Sequence, residues 1–73
     1  MTSTRLKVLR YVTVYCREHG YPPTEAEIAG TIGIDDSTAH YHLVLLERDE
    51  MITKKERSPR SAWPTQLGWS MAL

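Results

Sequence analysis

The sequence predicts a mainly helical domain with a small β component: three helices, a short β-hairpin and a brief final helix, in that order. Three observations predict it. Apolar residues recur at helical spacing as far as about residue 49, and breaks at Gly20 and Gly33, each soon followed by a capping residue, divide that stretch into three. Beyond residue 50 the pattern changes to two short β-capable pieces around a proline-bearing tip.

The first helix is expected over about residues 4–19. Val8, Leu9, Val12 and Cys16 fall at i, i+1, i+4 and i+8, one stripe of a helix, with Arg5, Arg10 and Arg17 elsewhere around it. Val8, Val12, Thr13 and Val14 are β-branched, so packing rather than intrinsic propensity must hold this helix. Gly20 ends it. The following Tyr21-Pro22-Pro23 is extended, because each proline biases its predecessor away from helical backbone.

Thr24 and Glu27 then form a capping box: the threonine hydroxyl takes a backbone N–H while the glutamate reaches back to the N-cap amide. A second helix follows over about residues 25–32, with Ile28, Ala29 and Ile32 inward, and Gly33 supplies the left-handed turn that reverses the chain. Asp35 caps a third helix over about residues 36–49. Two helices joined by so tight a turn make a helix-turn-helix unit. On the third helix Ala39, Leu43 and Leu46, at i, i+4 and i+7, form the inner face with His42 at its margin. Ser37, Thr38, His40, Tyr41 and Val44 lie on the opposite face.

"MITKK" and "SAW" flank "ERSPR", a hairpin over about residues 51–64. The tail 65–73, "TQLGWSMAL", is expected to add one or two helical turns from Thr65. Trp63 and Trp69 are read as lids over a small core. The whole chain, 1–73, reads as one domain, and a chain of 73 residues buries only about 60% of its unfolded surface, so the core is small.

Composition narrows the function classes. With 41% hydrophobic and 25% charged residues the chain is an ordinary globular one; no apolar run approaches about 18 residues, and Met-Thr-Ser-Thr-Arg does not open a signal peptide, so a cytoplasmic location is expected. Cys16 is the only cysteine, which excludes an internal disulfide and multi-cysteine zinc modules. His40 and His42 stand two apart on a helix and point about 200° from one another, unsuited to sharing one ion. No nucleophile–base pair, glycine-rich phosphate cradle or paired carboxylate is present. The expectation is therefore no enzyme, no metal and no cofactor. Nine basic and nine acidic side chains cancel, yet Lys54, Lys55, Arg57 and Arg60 gather in the hairpin.

The element order is that of a winged helix-turn-helix. "GYPPTEAEIAGTIGI" (residues 20–34) resembles the amino-terminal DNA-binding domain of the LexA repressor, where a glycine, two prolines, a threonine, Glu-Ile-Ala and a Gly-hydrophobic turn recur at this spacing. "STAHYHLVLLERDEMI" (37–52) is similar to the recognition helix of ArsR-type regulators, and "RSAWPTQLG" (60–68) to the wing-to-helix passage of MarR-type regulators, with Pro64 where a leucine is usual. Together these resemblances cover about residues 4–68. Glu50 stands where such families usually place the glycine that closes the third helix.

The resemblance implies a sequence-specific binder of double-stranded DNA, a small bacterial or phage transcriptional regulator made of the winged domain alone. Ser37, Thr38, His40 and Tyr41 are the expected base readers, since the front turns of such a helix enter the major groove. Lys54, Lys55, Arg57 and Arg60 are the expected phosphate contacts of the wing. Leu67, Trp69, Met71 and Leu73 are the expected self-association surface for a homodimer on two half-sites. The alternative is a winged-helix adaptor that binds a protein partner, suggested by zero net charge and by Asp36 at the front of the reading helix.

Overall fold

In the computed structural model, which describes residues 3–55 and 58–72, every helix starts at a side chain that occupies an otherwise orphaned amide. Ser3 Oγ accepts from Leu6 N–H at 3.1 Å and opens α1, Thr4–His19. Thr24 Oγ1 accepts from Glu27 N–H at 3.1 Å, and Glu27 Oε1 accepts from Thr24 N–H at 2.8 Å; this reciprocal box opens α2, Glu25–Ile32. Asp35 Oδ1 accepts from Thr38 N–H at 2.8 Å at the head of α3, Asp36–Arg48. Two strands, β1 (Ile52–Lys54) and β2 (Ala62–Pro64), pair antiparallel in the register Ile52 with Pro64, Thr53 with Trp63 and Lys54 with Ala62. Last comes α4, Gln66–Ala72, where Thr65 Oγ1 accepts from Gly68 N–H at 3.0 Å.

The core lies where α1 meets the other elements: it packs against α2, α3, α4 and β2. Val8, Leu9 and Val12 from α1, Ile28 from α2, Leu43 and Leu46 from α3 and Ile52 from β1 are fully buried. Ala39 joins them, so the inner face of α3 is the one its spacing predicts. Pro22 and Pro23 are buried as well, which makes the extended linker part of the core rather than a loose connection. The buried Thr13 is satisfied locally, donating to Leu9 O at 2.8 Å. Trp63 is half-buried against this core. The architecture is thus mainly helical with one small hairpin, a winged helix-turn-helix with a short fourth helix.

Two glycines end helices in the left-handed region: Gly20 at φ 81° and Gly33 at φ 84°. The third such turn is made by Glu50 at φ 62°. Its N–H reaches Glu47 O at 3.0 Å and Met51 N–H reaches Leu46 O at 2.9 Å, the paired bonds of a Schellman turn with a glutamate in the glycine position. The unusual conformation is held from the other side. Thr65 Oγ1 donates to Glu50 O at 2.6 Å and Thr65 N–H to Met51 O at 2.9 Å, so the start of α4 is fastened to the end of α3. Gly68 lies directly over the same turn, where a Cβ would stand 2.0 Å from the Met51 carbonyl oxygen.

Two opposite outcomes are expected on melting. Glu50→Gly removes a left-handed penalty of about 1–2 kcal/mol and adds about 0.5–1 kcal/mol of unfolded-chain entropy, for a net gain of at most about 1.5 kcal/mol. The midpoint should rise, by no more than about 6–12 °C for a domain this size. Gly68→Ala pushes a methyl into backbone that cannot rotate away and should cost about 1–3 kcal/mol, with a lowered midpoint. Thermal unfolding followed by circular dichroism reads both.

Candidate nucleic-acid interface

Burying Ala39, Leu43 and Leu46 forces the other face of α3 outward. Tyr41 is 59% exposed and Val44 43% exposed, large apolar surface that the fold leaves uncovered. His40 and Ser37 are exposed beside them and Thr38 is partly so. Thus the four expected readers share one open face. Two of them are already oriented by neighbours: Ser37 Oγ donates to Asp35 Oδ1 at 3.0 Å, and His40 Nδ1 lies 2.7 Å from Glu25 Oε2 on α2. Hydrogen bonds from Thr38 and Ser37 hold the Asp35 carboxyl below its usual range, in keeping with an ionised cap. His42 is half-buried at the margin, its ring 5.6 Å from that of Tyr41.

The hairpin contributes cations of two kinds. Lys54 and Lys55 are exposed, and Lys55 Nζ sits 5.1 Å from the Trp63 ring centroid, so the indole steers it. Lys54 and Asp36 line one open cleft between the hairpin and the helix-turn-helix, together with Pro23, Glu25, Ser58 and Pro59. Arg57 lies outside the described residues.

Arg60, expected along phosphates, is engaged within the domain. Its guanidinium turns inward, where Nη1 donates to Tyr15 Oη at 3.0 Å and to Pro22 O at 3.1 Å, and Nη2 donates to Glu27 Oε2 at 3.2 Å. Nη1 also lies 2.9 Å from Glu27 Oε1. The plane stacks over Tyr21, 5.0 Å from its centroid, and near Tyr15 at 5.8 Å. Most of the donors of this fork are therefore used inside the domain, and Arg60 is a clasp between the hairpin and the α1–α2 corner. Tyr15 also donates to Glu27 Oε2 at 3.3 Å. The cap and the clasp together hold the Glu27 carboxyl at about 2 instead of 4.5, the backbone bond from Thr24 being the larger cause and Arg60 the next.

Nothing local announces these tertiary contacts. In the sequence the cap alone accounts for Glu27, and the basic run for Arg60. A weak signal existed in the aromatic spacing: Tyr11, Tyr15 and His19 follow at i, i+4 and i+8 along α1 and with Tyr21 form an aromatic cluster, with Tyr15 and His19 centroids 4.1 Å apart. Such a cluster on an otherwise polar flank invites a stacked arginine.

Other expected surfaces fall as follows. On α4, Leu67 is 47% and Met71 54% exposed, while Trp69 is half-buried; Leu73 lies outside the described residues. Met71 borders a shallow apolar groove with Leu6, Leu9, Leu46 and Met51. Among the described residues no group of three or more His, Cys, Asp and Glu side chains is arranged to hold a metal ion. No described helix is long and apolar enough to cross a membrane. Burial raises the pKa of Cys16, which keeps its thiol unreactive.

The family described as the LexA DNA binding domain matches residues 1–61. The LexA repressor of Pediococcus pentosaceus is 35% identical over 69 residues, 93% of this chain and 33% of that protein. That of Syntrophomonas wolfei is 37% identical over 59 residues, covering 80% of this chain and 29% of that protein. The chain spans about a third of the length of the curated relatives it matches. Among solved structures, the crystal structure of MepR, a transcription regulator of the Staphylococcus aureus multidrug efflux pump MepA, superposes with a TM-score of 0.76 over 99% of this chain and 53% of that one. At 22% identity this likeness shows a common fold.

The clasp generates a prediction with a definite sign in pH. Because the folded Glu27 carboxyl titrates below its unfolded counterpart, its contribution to stability is complete above about pH 4.5 and is lost as pH falls toward about 2. Arg60→Ala should lower the melting midpoint at pH 7, and the gap to the parent should narrow across that acid window. Arg60→Lys should not restore it, since an ammonium cannot bridge carboxylate, hydroxyl and carbonyl in one plane. A midpoint that Arg60→Ala leaves unmoved at pH 7 would mean the clasp is ornamental.

Proposed function

The chain belongs to the LexA DNA-binding domain family, and from that premise we propose that it is a transcriptional regulator that binds specific sequences in double-stranded DNA. The observation that carries the reading is the family match over residues 1–61, a span that contains the helix-turn-helix and the first strand of the wing. Its physical support is the open face of α3. A helix that buries one stripe and turns Ser37, Thr38, His40 and Tyr41 outward at its front suits insertion into the major groove, where hydroxyl, imidazole and phenol groups meet base edges and phosphates.

Anchoring falls to Lys54, Lys55 and Arg57. Arg60 contributes chiefly by fixing the hairpin that carries them. A single module of this size makes few contacts, so useful affinity calls for two copies on adjacent half-sites. Leu67 and Met71, one turn apart on α4 and exposed, are the proposed self-association surface, with Trp69 behind them. The protein-binding alternative keeps one specific observation in its favour. Asp36 is exposed in the first turn of the reading helix, where a carboxylate repels phosphate unless it accepts from a cytosine amino group.

Tyr41→Ala should leave the fold intact and weaken binding to a selected site by about 1–3 kcal/mol, with little loss on random duplex. Lys54→Ala with Lys55→Ala should weaken both kinds of duplex alike and flatten the dependence of log K on log salt by up to about 1.8, near 0.9 per phosphate contact. Titrations between about 50 and 200 mM salt separate the two behaviours. Failure to bind any duplex at the low end would favour a protein partner.

A further inference from the structure

We infer that His40 is a hydrogen-bond acceptor toward DNA that selects a base bearing an exocyclic amino group, adenine or cytosine, and that Glu25 is the positioning residue that makes it so. The inference rests on the DNA-reading function proposed above and adds to it the chemistry at one position. It starts from the contact of 2.7 Å between His40 Nδ1 and Glu25 Oε2. An ionised carboxylate can only accept, so a contact this short requires the proton on Nδ1. In the neutral ring Nε2 then carries a lone pair and no hydrogen, because the bond made by one nitrogen sets the tautomer of the other.

The placement gives that lone pair a target. Glu25 stands in the first turn of α2 and His40 on the outer face of α3, so the pair bridges the two helices of the helix-turn-helix at its open side. The side chains are 39% and 53% exposed respectively, and a hydrogen bond so open to solvent adds little to stability. Its effect is on orientation. With Nδ1 engaged behind it, the imidazole cannot turn over without losing the contact, and Nε2 is the nitrogen left for a ligand. In the major groove the donors are adenine N6 and cytosine N4; guanine offers N7 and O6 and thymine O4, all acceptors. A fixed acceptor therefore meets a partner on two bases and a repelling lone pair on the other two. An Nε2–H ring would have the reverse preference. Glu25 thus decides which bases are admitted without touching them.

The test is selection from random duplexes with the 73-residue chain, its His40→Ala variant and its Glu25→Gln variant, with melting midpoints measured alongside. Expected for the parent is a motif in which one position admits adenine or cytosine, at least about tenfold over guanine and thymine; the letter recovered tells the two amino bases apart. His40→Ala should relax that position alone. Glu25→Gln should admit guanine or thymine at the same position, because an amide can present either its oxygen or its NH2 to Nδ1 and so no longer fixes the tautomer. Its midpoint should stay put, and its affinity for random duplex should not fall, since a negative charge has been removed. A spectroscopic reading is independent of DNA: long-range nitrogen–proton correlation of the His40 ring should report the Nδ1–H form in the parent and a mixture in Glu25→Gln. An Nε2–H ring in the free parent, a motif that His40→Ala leaves unchanged, or restriction of the position to guanine would each overturn the inference. Selection of no motif by the parent would instead overturn the DNA-reading function on which it rests.

Discussion

The carboxylate of Glu27 is the interaction on which the arrangement of this domain turns. Its Oε1 closes the capping box that starts α2, and the same group receives the Arg60 guanidinium from the far side of the hairpin. One side chain therefore fixes both where the second helix begins and where the hairpin lies relative to it. The two duties reinforce each other. A carboxylate already held by a backbone N–H has lost its rotamer freedom, so the arginine finds its partner in place and little further ordering is required. Tyr15 and Tyr21 complete the site by covering the guanidinium plane, and the Pro22 carbonyl joins it because the buried proline pair holds that segment rigid.

The far end of α3 is governed by a second constraint of the same kind. Glu50 adopts a left-handed turn that a glycine would make more readily, and it is kept there by Thr65 and by the close seat of Gly68 on the Met51 carbonyl. The chain thus carries its glycine not in the turn but in the helix that packs on it. A local penalty in one element is offset by contacts from another, so the end of α3 and the start of α4 support each other. This also defines the exposed face of α3: its front is held by the Asp35 cap and its end by the Glu50 turn, and between them the buried stripe leaves Tyr41 and Val44 outside.

Much of the fold was legible because its signals are local. Caps at Thr24 and Asp35, glycines at 20 and 33, and the stripes on α1 and α3 each act within one or two turns of chain, and the resulting class, mainly helical with a small hairpin, stands. The outward face of α3 followed from its inward one. What escaped were pairings across long stretches of sequence: Arg60 with Glu27 and Tyr15, His40 with Glu25, and Thr65 with Glu50. A charged residue in a basic run looks available to an external anion, and no periodicity says that its partner is an internal carboxylate contributed by a different helix. Only the topology brings them together.

Engaging Arg60 within the domain changes the balance of the proposed interface. The chain has no net charge, and near the front of α3 stand Asp35, Asp36 and Glu25, of which Asp35 serves as a cap and Glu25 engages His40. Lys54 and Lys55 then face a field in which Asp36 is the carboxylate without such a duty. Under the proposed function, attraction that rests on so few cations would give weak non-specific binding, and each lost phosphate contact would remove one counterion's worth of release. That weakness leaves selectivity unchanged: phosphate contacts are common to the right and the wrong site and cancel in the ratio of affinities, which is set by the base contacts. The absolute affinity a single module forgoes is recoverable by pairing two copies, since a second bound module acts at high effective concentration. Under the proposed function, the neutral charge and the exposed Leu67 and Met71 belong together: low affinity per copy would be offset by the proposed pairing of copies.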